Sequence, residues 1–348
     1  MRYAAISDRL DGLGGAKWAV HLEGIRRRSA GQHVTFLSIG EPDLPPPSSV
    51  IDQAVRSLTN GRTRYADGQG EPAARRAIAA HLTRRSGLDV SPEQIVCVAG
   101  TQNGLSVAML TVAEHGDEVL VPDPYYATYE GVVAATGATF VPVPTRPEDS
   151  FHVTAEAIEA RVTPRSRVLL LNTPSNPTGA VLSSDEVDAI GEVCLRHDLW
   201  IICDEVYADL TFGTPFASPF DRPQLRDRTL ATSSISKSHA LPGFRTGWIA
   251  CAPEATHRVT SVSESMLFGS QPFLADALAV ALSEQHPEVL RQRDTFRQRA
   301  EALVSAFSGS TSATARMPEG GMFVMVDVRA TDRKSTRLNS SHGYISYA

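Results

Sequence analysis

The sequence contains few cysteines, and they form neither a redox motif nor a metal-binding motif. Only four of the 348 residues are cysteine, and no two of them are spaced as Cys-x-x-Cys. They stand at Cys97, Cys194, Cys203 and Cys251, mostly inside apolar runs. This pattern predicts buried free thiols and a location in the reducing cytoplasm. No cluster of histidine and cysteine has the spacing of metal ligands, so no metal is expected.

The sequence also lacks an excess of positive charge and any long apolar run. The formal net charge is −6, which argues against nucleic acid as the main partner. No apolar run approaches the length of a membrane span, and the N-terminus has no apolar signal segment, so no membrane association is expected. With 42% hydrophobic and 21% charged residues, the composition is typical of a globular protein in water.

Short apolar runs alternate with helical patterns through most of the chain. The predicted strands are 94–98, 118–121, 139–143, 167–171, 200–203, 228–232 and 247–251. The main predicted helices are 18–28, 71–85, 105–113, 154–161, 184–197 and 287–308. Because the strands are apolar without alternation, they predict an α/β fold with a mainly parallel sheet of the seven-stranded type, covered by helices on both faces.

Other elements precede this alternating region. Residues 35–39 resemble a short strand that ends at a proline-locked turn. A helix is predicted from Ser48 or Ser49 to about residue 59, with a serine as its N-terminal cap. The expected organisation is an N-terminal arm with part of a small domain (1–45), a large domain (46–285), the rest of an α+β small domain (286–330) and a tail (331–348).

One lysine stands in a stretch suited to hold both a phosphate and a carbonyl compound. Serines precede Lys237, a Gly/Pro turn follows it, and Arg245 comes shortly after that turn. Serine hydroxyls and an arginine fork are the groups that a phosphate monoester needs nearby. The pattern therefore predicts a Schiff-base lysine beside a bound phosphate, which is how pyridoxal phosphate is held. The alternative is a surface lysine in a serine-rich loop.

Further polar motifs follow the carboxyl ends of predicted strands, where open α/β sheets bind ligands. Gly100, Thr101 and Gln102 open a helix whose N–H groups can hold an anion, although they also suit a plain turn. Asp204 follows an apolar strand, with Tyr207 three residues on. A carboxylate there needs a cationic partner, such as a pyridinium nitrogen, or else it caps a helix or joins a salt bridge.

Two more candidates lie in proline turns. Asn176 precedes a proline, so its amide is held rigidly, although a turn asparagine has the same pattern. Tyr126 follows a Pro-Tyr turn and is suited to lie on an aromatic ring, with core packing as the alternative.

The order and spacing of these motifs resemble those of the fold-type I, class I/II pyridoxal-phosphate aminotransferases. The resemblance runs from about residue 38 to residue 328. It implies that Lys237 forms the Schiff base with the cofactor and shuttles the proton, and that Asp204 pairs with the pyridine nitrogen. The remaining implied cofactor contacts are the ring contacts of Tyr126, Asn176 and Tyr207 and the phosphate-side contacts of Gly100, Thr101, Gln102, Ser234 and Arg245.

The same resemblance implies ping-pong transamination between an amino acid and a 2-oxo acid. Gly40 and Asn176 match positions that touch the substrate in this family. Tyr65 matches a tyrosine that reaches the phosphate of the neighbouring subunit, which implies a homodimer. Within the family, residues 236–240 (Ser-Lys-Ser-His-Ala) and 320–327 (Gly-Gly-Met-Phe-Val-Met-Val-Asp) look closest to arginine–pyruvate transaminases.

The C-terminal stretch departs from the family pattern. Residues 331–348 are polar and aperiodic, and they are expected to be a non-native or disordered tail. The family places an arginine for the substrate carboxylate further on, so a truncated small domain and a poorly active chain are expected. Two other functions stay open: another reaction on the same cofactor, such as β-elimination or decarboxylation, and a non-catalytic, aminotransferase-like ligand-sensing domain.

Overall fold

A computed structural model describes residues 2–13, 15–330 and 344–347 as a large mixed sheet with flanking helices and a smaller antiparallel sheet. The helices are α1 Ala5–Leu10, α2 Gly15–Ser29, α3 Ser48–Thr59, α4 Pro72–Ser86, α5 Thr101–Val112, α6 Tyr129–Thr136, α7 Ala155–Glu159, α8 Ser184–Arg196, α9 Pro253–Leu267, α10 Pro272–Ser283 and α11 Pro287–Phe307. The strands are β1 Ile95–Val98, β2 Glu118–Asp123, β3 Thr139–Pro144, β4 Ser166–Asn172, β5 Trp200–Asp204, β6 Thr229–Ser234, β7 Gly247–Ala250, β8 Thr314–Ala315, β9 Val324–Asp327 and β10 Tyr344–Tyr347.

The large sheet has the order β1-β7-β6-β5-β4-β2-β3. Neighbouring strands from β6 to β3 are parallel, whereas β7 is antiparallel to both β6 and β1. The prediction of a mainly parallel seven-stranded sheet with helices on both faces is confirmed. In β4, Val168 and Leu170 join the core under α5 and α6, while Leu169 and Leu171 join the core under α8. Successive side chains of a strand point to opposite faces, so a strand buried on both faces must be apolar throughout.

The predicted strand at residues 35–39 is wrong, because these residues pair with no described strand and the chain bends at Ser38 and Ile39. Phe36 packs on a helix, whereas Leu37 and Ile39 are 47% and 48% exposed. The ring of Phe36 lies edge-on to His21 with 5.6 Å between centroids, and the guanidinium of Arg28 lies 4.6 Å from the Phe36 centroid. Phe36 therefore contacts α2, and the residues that follow it line the cavity described below.

Two helix starts also differ from prediction. Pro47 occupies the N-cap position of α3 and makes no side-chain cap hydrogen bond, so the predicted serine cap is wrong. Helix α5 begins at Thr101 rather than at residue 105. Gly100 precedes it with φ of +81°, a left-handed conformation that glycine adopts without strain, so the chain turns directly from the strand end into the helix.

The smaller sheet has the order β10-β9-β8 and is antiparallel. The predicted tail falls largely outside the described residues, apart from the strand β10. Helix α11 begins at Pro287, next to the expected domain boundary, and the division into domains stays a prediction. In the part of the chain that the structure describes, no helix combines the length and the apolar character needed to cross a bilayer.

Candidate active site

A cavity of about 410 Å³ lies at the carboxyl ends of β4, β5 and β6, beside the N-terminus of α5. Residues 37–40 line one side of it. Parallel strands bring their carboxyl ends to one edge of the sheet, so side chains far apart in sequence meet there. The predicted site residues that line this cavity are Gly40, Thr101, Gln102, Tyr126, Asn176, Asp204, Tyr207, Ser234, Lys237 and Arg245.

Lys237 points into this cavity from the loop after β6. Its Nζ donates a hydrogen bond to the carbonyl oxygen of Gly40 at 2.8 Å. Burial lowers the pKa of Lys237, against the opposing effect of nearby negative charge on Glu41 and Asp204. A buried amine with a lowered pKa gives up its proton more readily, which suits a nucleophile or a base.

The backbone of Lys237 is held by a helix of the C-terminal half. The side-chain amide of Gln292, on α11, donates to the carbonyl oxygens of Lys237 and Ser238. Gln292 is only 2% exposed, so these bonds are made away from solvent. They fix the start of the Lys237 side chain relative to α11.

Asp204 ends β5 and is buried at the floor of the cavity. Its Oδ2 accepts a hydrogen bond from the Tyr129 hydroxyl at 2.8 Å, and its Oδ1 accepts one from the Val206 N–H at 3.1 Å. Burial raises the pKa of Asp204 to about 6, although both hydrogen bonds act to lower it. Among the described residues, no cation is hydrogen-bonded to this carboxyl, so a ligand with a positively charged N–H would supply the missing partner.

The loop after β4 is anchored to the end of β5. The side-chain amide of Asn172 donates to the carbonyl oxygen of Asp204 at 3.0 Å, and its oxygen accepts from the Asn176 N–H at 2.6 Å. Asn176 in turn hydrogen-bonds the hydroxyl of Tyr207, whose pKa burial raises well above its ordinary value. Two hydrogen-bonding side chains, Asn176 and Tyr207, are thus brought together on one wall of the cavity.

Hydroxyls and an arginine collect at the N-terminus of α5. The Thr101 hydroxyl donates to the Ser234 Oγ at 2.9 Å, and the Arg245 guanidinium donates to the carbonyl oxygens of Pro242 at 2.9 Å and Ala99 at 3.2 Å. A Cβ added at Gly100 would lie 2.9 Å from the guanidinium. The close approach of arginine, hydroxyls and helix N-terminus makes a positive corner suited to an anion.

Tyr126 and Gln102 also line the cavity. The rings of Tyr126 and Tyr129 meet edge to face with 5.6 Å between centroids. Burial is the main cause that raises the pKa of Tyr126. Gln102 Oε1 accepts a hydrogen bond from the Thr128 hydroxyl at 2.8 Å. These contacts hold the Tyr126 ring beside the cavity, where it can face a planar ligand.

Tyr65 is the predicted residue that the fold does not bring to this cavity. Its side chain is 86% exposed, and its ring meets Phe268 edge-on with 5.0 Å between centroids. Tyr65 therefore belongs to the outer surface of the protomer.

Several residues at the cavity escaped the sequence reasoning. The clearest is Tyr129, the first residue of α6, whose N–H donates to the Tyr126 carbonyl at 3.0 Å across the turn that precedes the helix. Gln292 binds the backbone of Lys237 and Phe323 lines the cavity. Both come from distant parts of the chain, and no local sequence pattern marks them. Trp18 also lines the cavity, from the first turn of α2.

The sequence profile of the family described as aminotransferase class I and II matches residues 32–345. The chain belongs to this family. The match covers residues 37–40 at the cavity, the whole large sheet and most of the smaller one, and membership makes the protein an aminotransferase.

Named relatives agree with this assignment. Arginine–pyruvate transaminase AruH of Pseudomonas aeruginosa is 40% identical over 99% of this chain and 88% of its own length. An aspartate/prephenate aminotransferase of Cereibacter sphaeroides is 33% identical over 86% of this chain and 76% of its own length. The crystal structure of an aspartate aminotransferase from Rhizobium meliloti superposes with a TM-score of 0.90 at 28% identity, covering 94% of this chain and 82% of that one.

Proposed function

We propose that this aminotransferase uses pyridoxal phosphate to exchange an amino group between an amino acid and a 2-oxo acid. The observation that carries the proposal is the meeting of a half-buried lysine, a buried carboxyl and a positive corner in one cavity. The residues present fit the cofactor: Lys237 faces its aldehyde in this reading, Asp204 its ring nitrogen, and Thr101, Ser234 and Arg245 its phosphate. When bound, pyridoxal phosphate withdraws electrons from the substrate Cα–H bond.

The chain's own groups then have distinct tasks. The Asp204 carboxylate, desolvated and short of a cation, favours a proton on the ring nitrogen opposite it. The Lys237 amine, whose pKa burial lowers, would take the proton from the substrate Cα and deliver it to the cofactor carbon that keeps the amino group. Asn176 and Tyr207 would hydrogen-bond the ring oxygen, Tyr126 would cover the ring, and Gly100 leaves space for Arg245, which would bind the phosphate. Gln102 and Gly40 complete the cofactor and substrate sides of the cavity.

We propose an amino acid with a cationic side chain and pyruvate as the substrate pair to test first. The support is the identity of 40% to an arginine–pyruvate transaminase, which exceeds the 33% to an aspartate/prephenate aminotransferase. We also propose that the protein acts in the cytoplasm, because its four cysteines are all buried free thiols.

We further propose a homodimer in which Tyr65 serves the neighbouring site. Its support is the contact between two exposed rings, Tyr65 and Phe268, next to the exposed Met266 and Leu267 at the end of α9. Exposed aromatic and aliphatic side chains that adjoin one another mark surfaces where proteins associate.

The lysine assignment has a direct chemical test. The chain has three lysines, at Lys17, Lys237 and Lys334, so borohydride reduction of the cofactor-loaded protein followed by peptide mass spectrometry identifies the bonded one. We expect the cofactor mass on the Lys237 peptide, and we expect Lys237→Ala to lose that mass and all turnover while Lys17→Ala retains both. Label on another lysine, or an active Lys237→Ala protein, would contradict the proposal.

The reaction class is tested by product analysis. Single turnovers with a panel of amino acids should yield the matching 2-oxo acid and the aminated cofactor, and pyruvate should then regenerate the starting form with alanine as product. Release of ammonia or carbon dioxide would indicate elimination or decarboxylation instead, and binding without any product would favour a ligand-sensing role.

A further inference from the structure

One protonatable side chain, His152, lies outside the cavity and joins chain segments that surround the cavity. His152 Nδ1 lies 2.7 Å from Glu186 Oε1, at the start of α8, and His152 Nε2 lies 2.9 Å from Glu319 Oε2, in the loop before β9. Both carboxylates are acceptors only, so both contacts are hydrogen bonds when each ring nitrogen carries a proton. That state of the imidazole is the cation.

Glu319 carries the contact onward to the loops around the cavity. Its Oε2 also accepts from the Val181 N–H at 2.7 Å. Its backbone N–H donates to the Gly179 carbonyl at 3.0 Å, and its own carbonyl accepts from the Phe212 N–H at 2.7 Å. Glu319 is thus bonded to the loop after β4 and to the loop after β5.

The residues that follow Glu319 lie against the same loops. The N–H of Gly320 donates to the Gly179 carbonyl at 3.0 Å, and that of Gly321 donates to the Leu210 carbonyl at 2.9 Å. Gly179 has φ of +74°, and a Cβ added there would lie 2.3 Å from the Pro318 Cβ. Residues 318–323, here called the closing segment, therefore pack tightly on the loop that carries Asn176.

The closing segment ends at the cavity. Phe323 lines it, and its ring meets the ring of Tyr207 at 83° with 5.5 Å between centroids. A shift of the closing segment would move Phe323 and would free the Tyr207 ring on that side.

We propose that His152 is a positioning residue whose cationic form fastens the closing segment to the large sheet and so holds Phe323 against Tyr207. This inference rests on the proposed transamination, because its effect is on substrate in the same cavity. His152 touches neither cofactor nor substrate residues, so it acts only through Glu319.

The charged groups around His152 set the pH range in which its imidazole is a cation and binds both carboxylates. Hydrogen bonding to Glu319, with the added charge of Glu186, raises the pKa of His152 to about 9, and partial burial opposes the rise. On its own loop, Asp149 pairs with Arg146 at 3.3 Å and Glu148 with Arg329 at 3.6 Å. A raised pKa means that the stabilisation is complete below the ordinary histidine value and is lost as the pH rises through about 9.

The test compares His152→Gln and His152→Lys with the parent enzyme loaded with pyridoxal phosphate. Glutamine is neutral and cannot bridge two carboxylates as a cation, whereas lysine keeps the charge. We expect His152→Gln to raise KM about 10-fold near pH 7 with little change in kcat, and His152→Lys to recover most of the loss. The difference between parent and His152→Gln should vanish as the pH passes the pKa of His152.

Two further measurements separate positioning from general destabilisation. Glu186→Gln retains an acceptor for the helix cap but removes one negative charge, so it should move the alkaline limb of kcat/KM to lower pH. His197→Gln, which removes a histidine 3.1 Å from Glu159 at the other end of α8, is the matched control and should move nothing.

Amide hydrogen exchange supplies a readout that does not depend on turnover. His152→Gln should speed exchange at the N–H groups of Phe212, Gly320 and Gly321 compared with the parent at the same pH. If these amides keep their protection while KM and the alkaline limb are unchanged, the proposal is overturned. If exchange becomes faster in a protein that has no transaminase activity, the positioning role of His152 is supported and the proposed reaction is contradicted.

Discussion

At Asp204, burial and hydrogen bonding act in opposite directions on one carboxyl. The bonds from Tyr129 and Val206 favour its charged form, but burial is the larger effect and raises the pKa to about 6. Without a cation opposite it, the charged carboxylate destabilises the fold at neutral pH. A bound ring with a protonated nitrogen would relieve that cost, so the same residue connects cofactor binding to stability.

This balance gives a prediction for Asp204→Asn. A pKa raised from 3.8 to about 6 means that the folded protein binds the proton more tightly, so stability from this group increases as the pH falls through that range. In the cofactor-free protein, the compared quantity is the free energy of unfolding of wild type minus that of Asp204→Asn. This difference should increase by up to about 3 kcal/mol as the pH falls from 7 to 4. Chemical denaturation at each pH measures it.

Asp52→Asn, at an exposed position of α3, is the control for this series and should show no such trend. In the loaded enzyme, Asp204→Asn should retain the cofactor and lose turnover by about 100-fold or more, since each factor of ten corresponds to about 1.4 kcal/mol of barrier. A pH-independent stability difference would show that the carboxyl is solvated.

The residues that sequence predicts best are those that directly follow strand ends. Asp204 and Asn176 could be placed because an apolar strand stops immediately before each motif, which fixes both to one edge of the sheet. Gln292 could not be found this way. Its contact with the carbonyl of Lys237 joins positions that only tertiary packing brings together.

Among the elements, the buried strands were predictable and the unpaired residues 35–39 were not. A series of apolar runs that alternates with helical patterns fits a sheet covered on both faces, whereas one isolated apolar run can pair in a sheet or pack on a helix. The contacts of Phe36 with α2 show that its side chain packs on a helix. The start of α5 was predicted four residues too late, because the turn into the helix needs only one residue, Gly100.

The positive corner of α5 and Arg245 gives a prediction at this scale. Arg245→Lys keeps the charge but loses the planar fork. We expect the affinity for pyridoxal phosphate to fall about 10- to 100-fold, while that for pyridoxal, which has no phosphate, changes little. Equilibrium dialysis of both compounds measures the two affinities.

The matched control is Arg258→Lys, at an exposed position of α9 away from the cavity, which should change neither affinity. Equal losses for pyridoxal and pyridoxal phosphate would mean that Arg245 supports the cavity as a whole through its bonds to Pro242 and Ala99, rather than the phosphate in particular.

For the whole molecule, the position of Tyr65 is the informative feature. A side chain that is 86% exposed and outside the cavity of its own protomer can serve a site only across an interface. The Phe268 ring beside it also lies in the open, at 62% exposure. Because closed dimers use the same patch twice, each of two sites would receive a tyrosine from the other subunit.

Subunit mixing tests this arrangement. We expect Lys237→Ala and Tyr65→Ala dimers to be inactive and impaired, respectively, when each is alone. After they are mixed by reversible dissociation, about half of the dimers are hybrids, and one site of each hybrid has both native residues, so activity should approach about a quarter of wild type. If Tyr65 instead served its own subunit, every site in the hybrid would carry one altered residue and mixing would restore nothing. Sedimentation of Phe268→Asp, expected to shift toward monomer, identifies the face through which that exchange takes place.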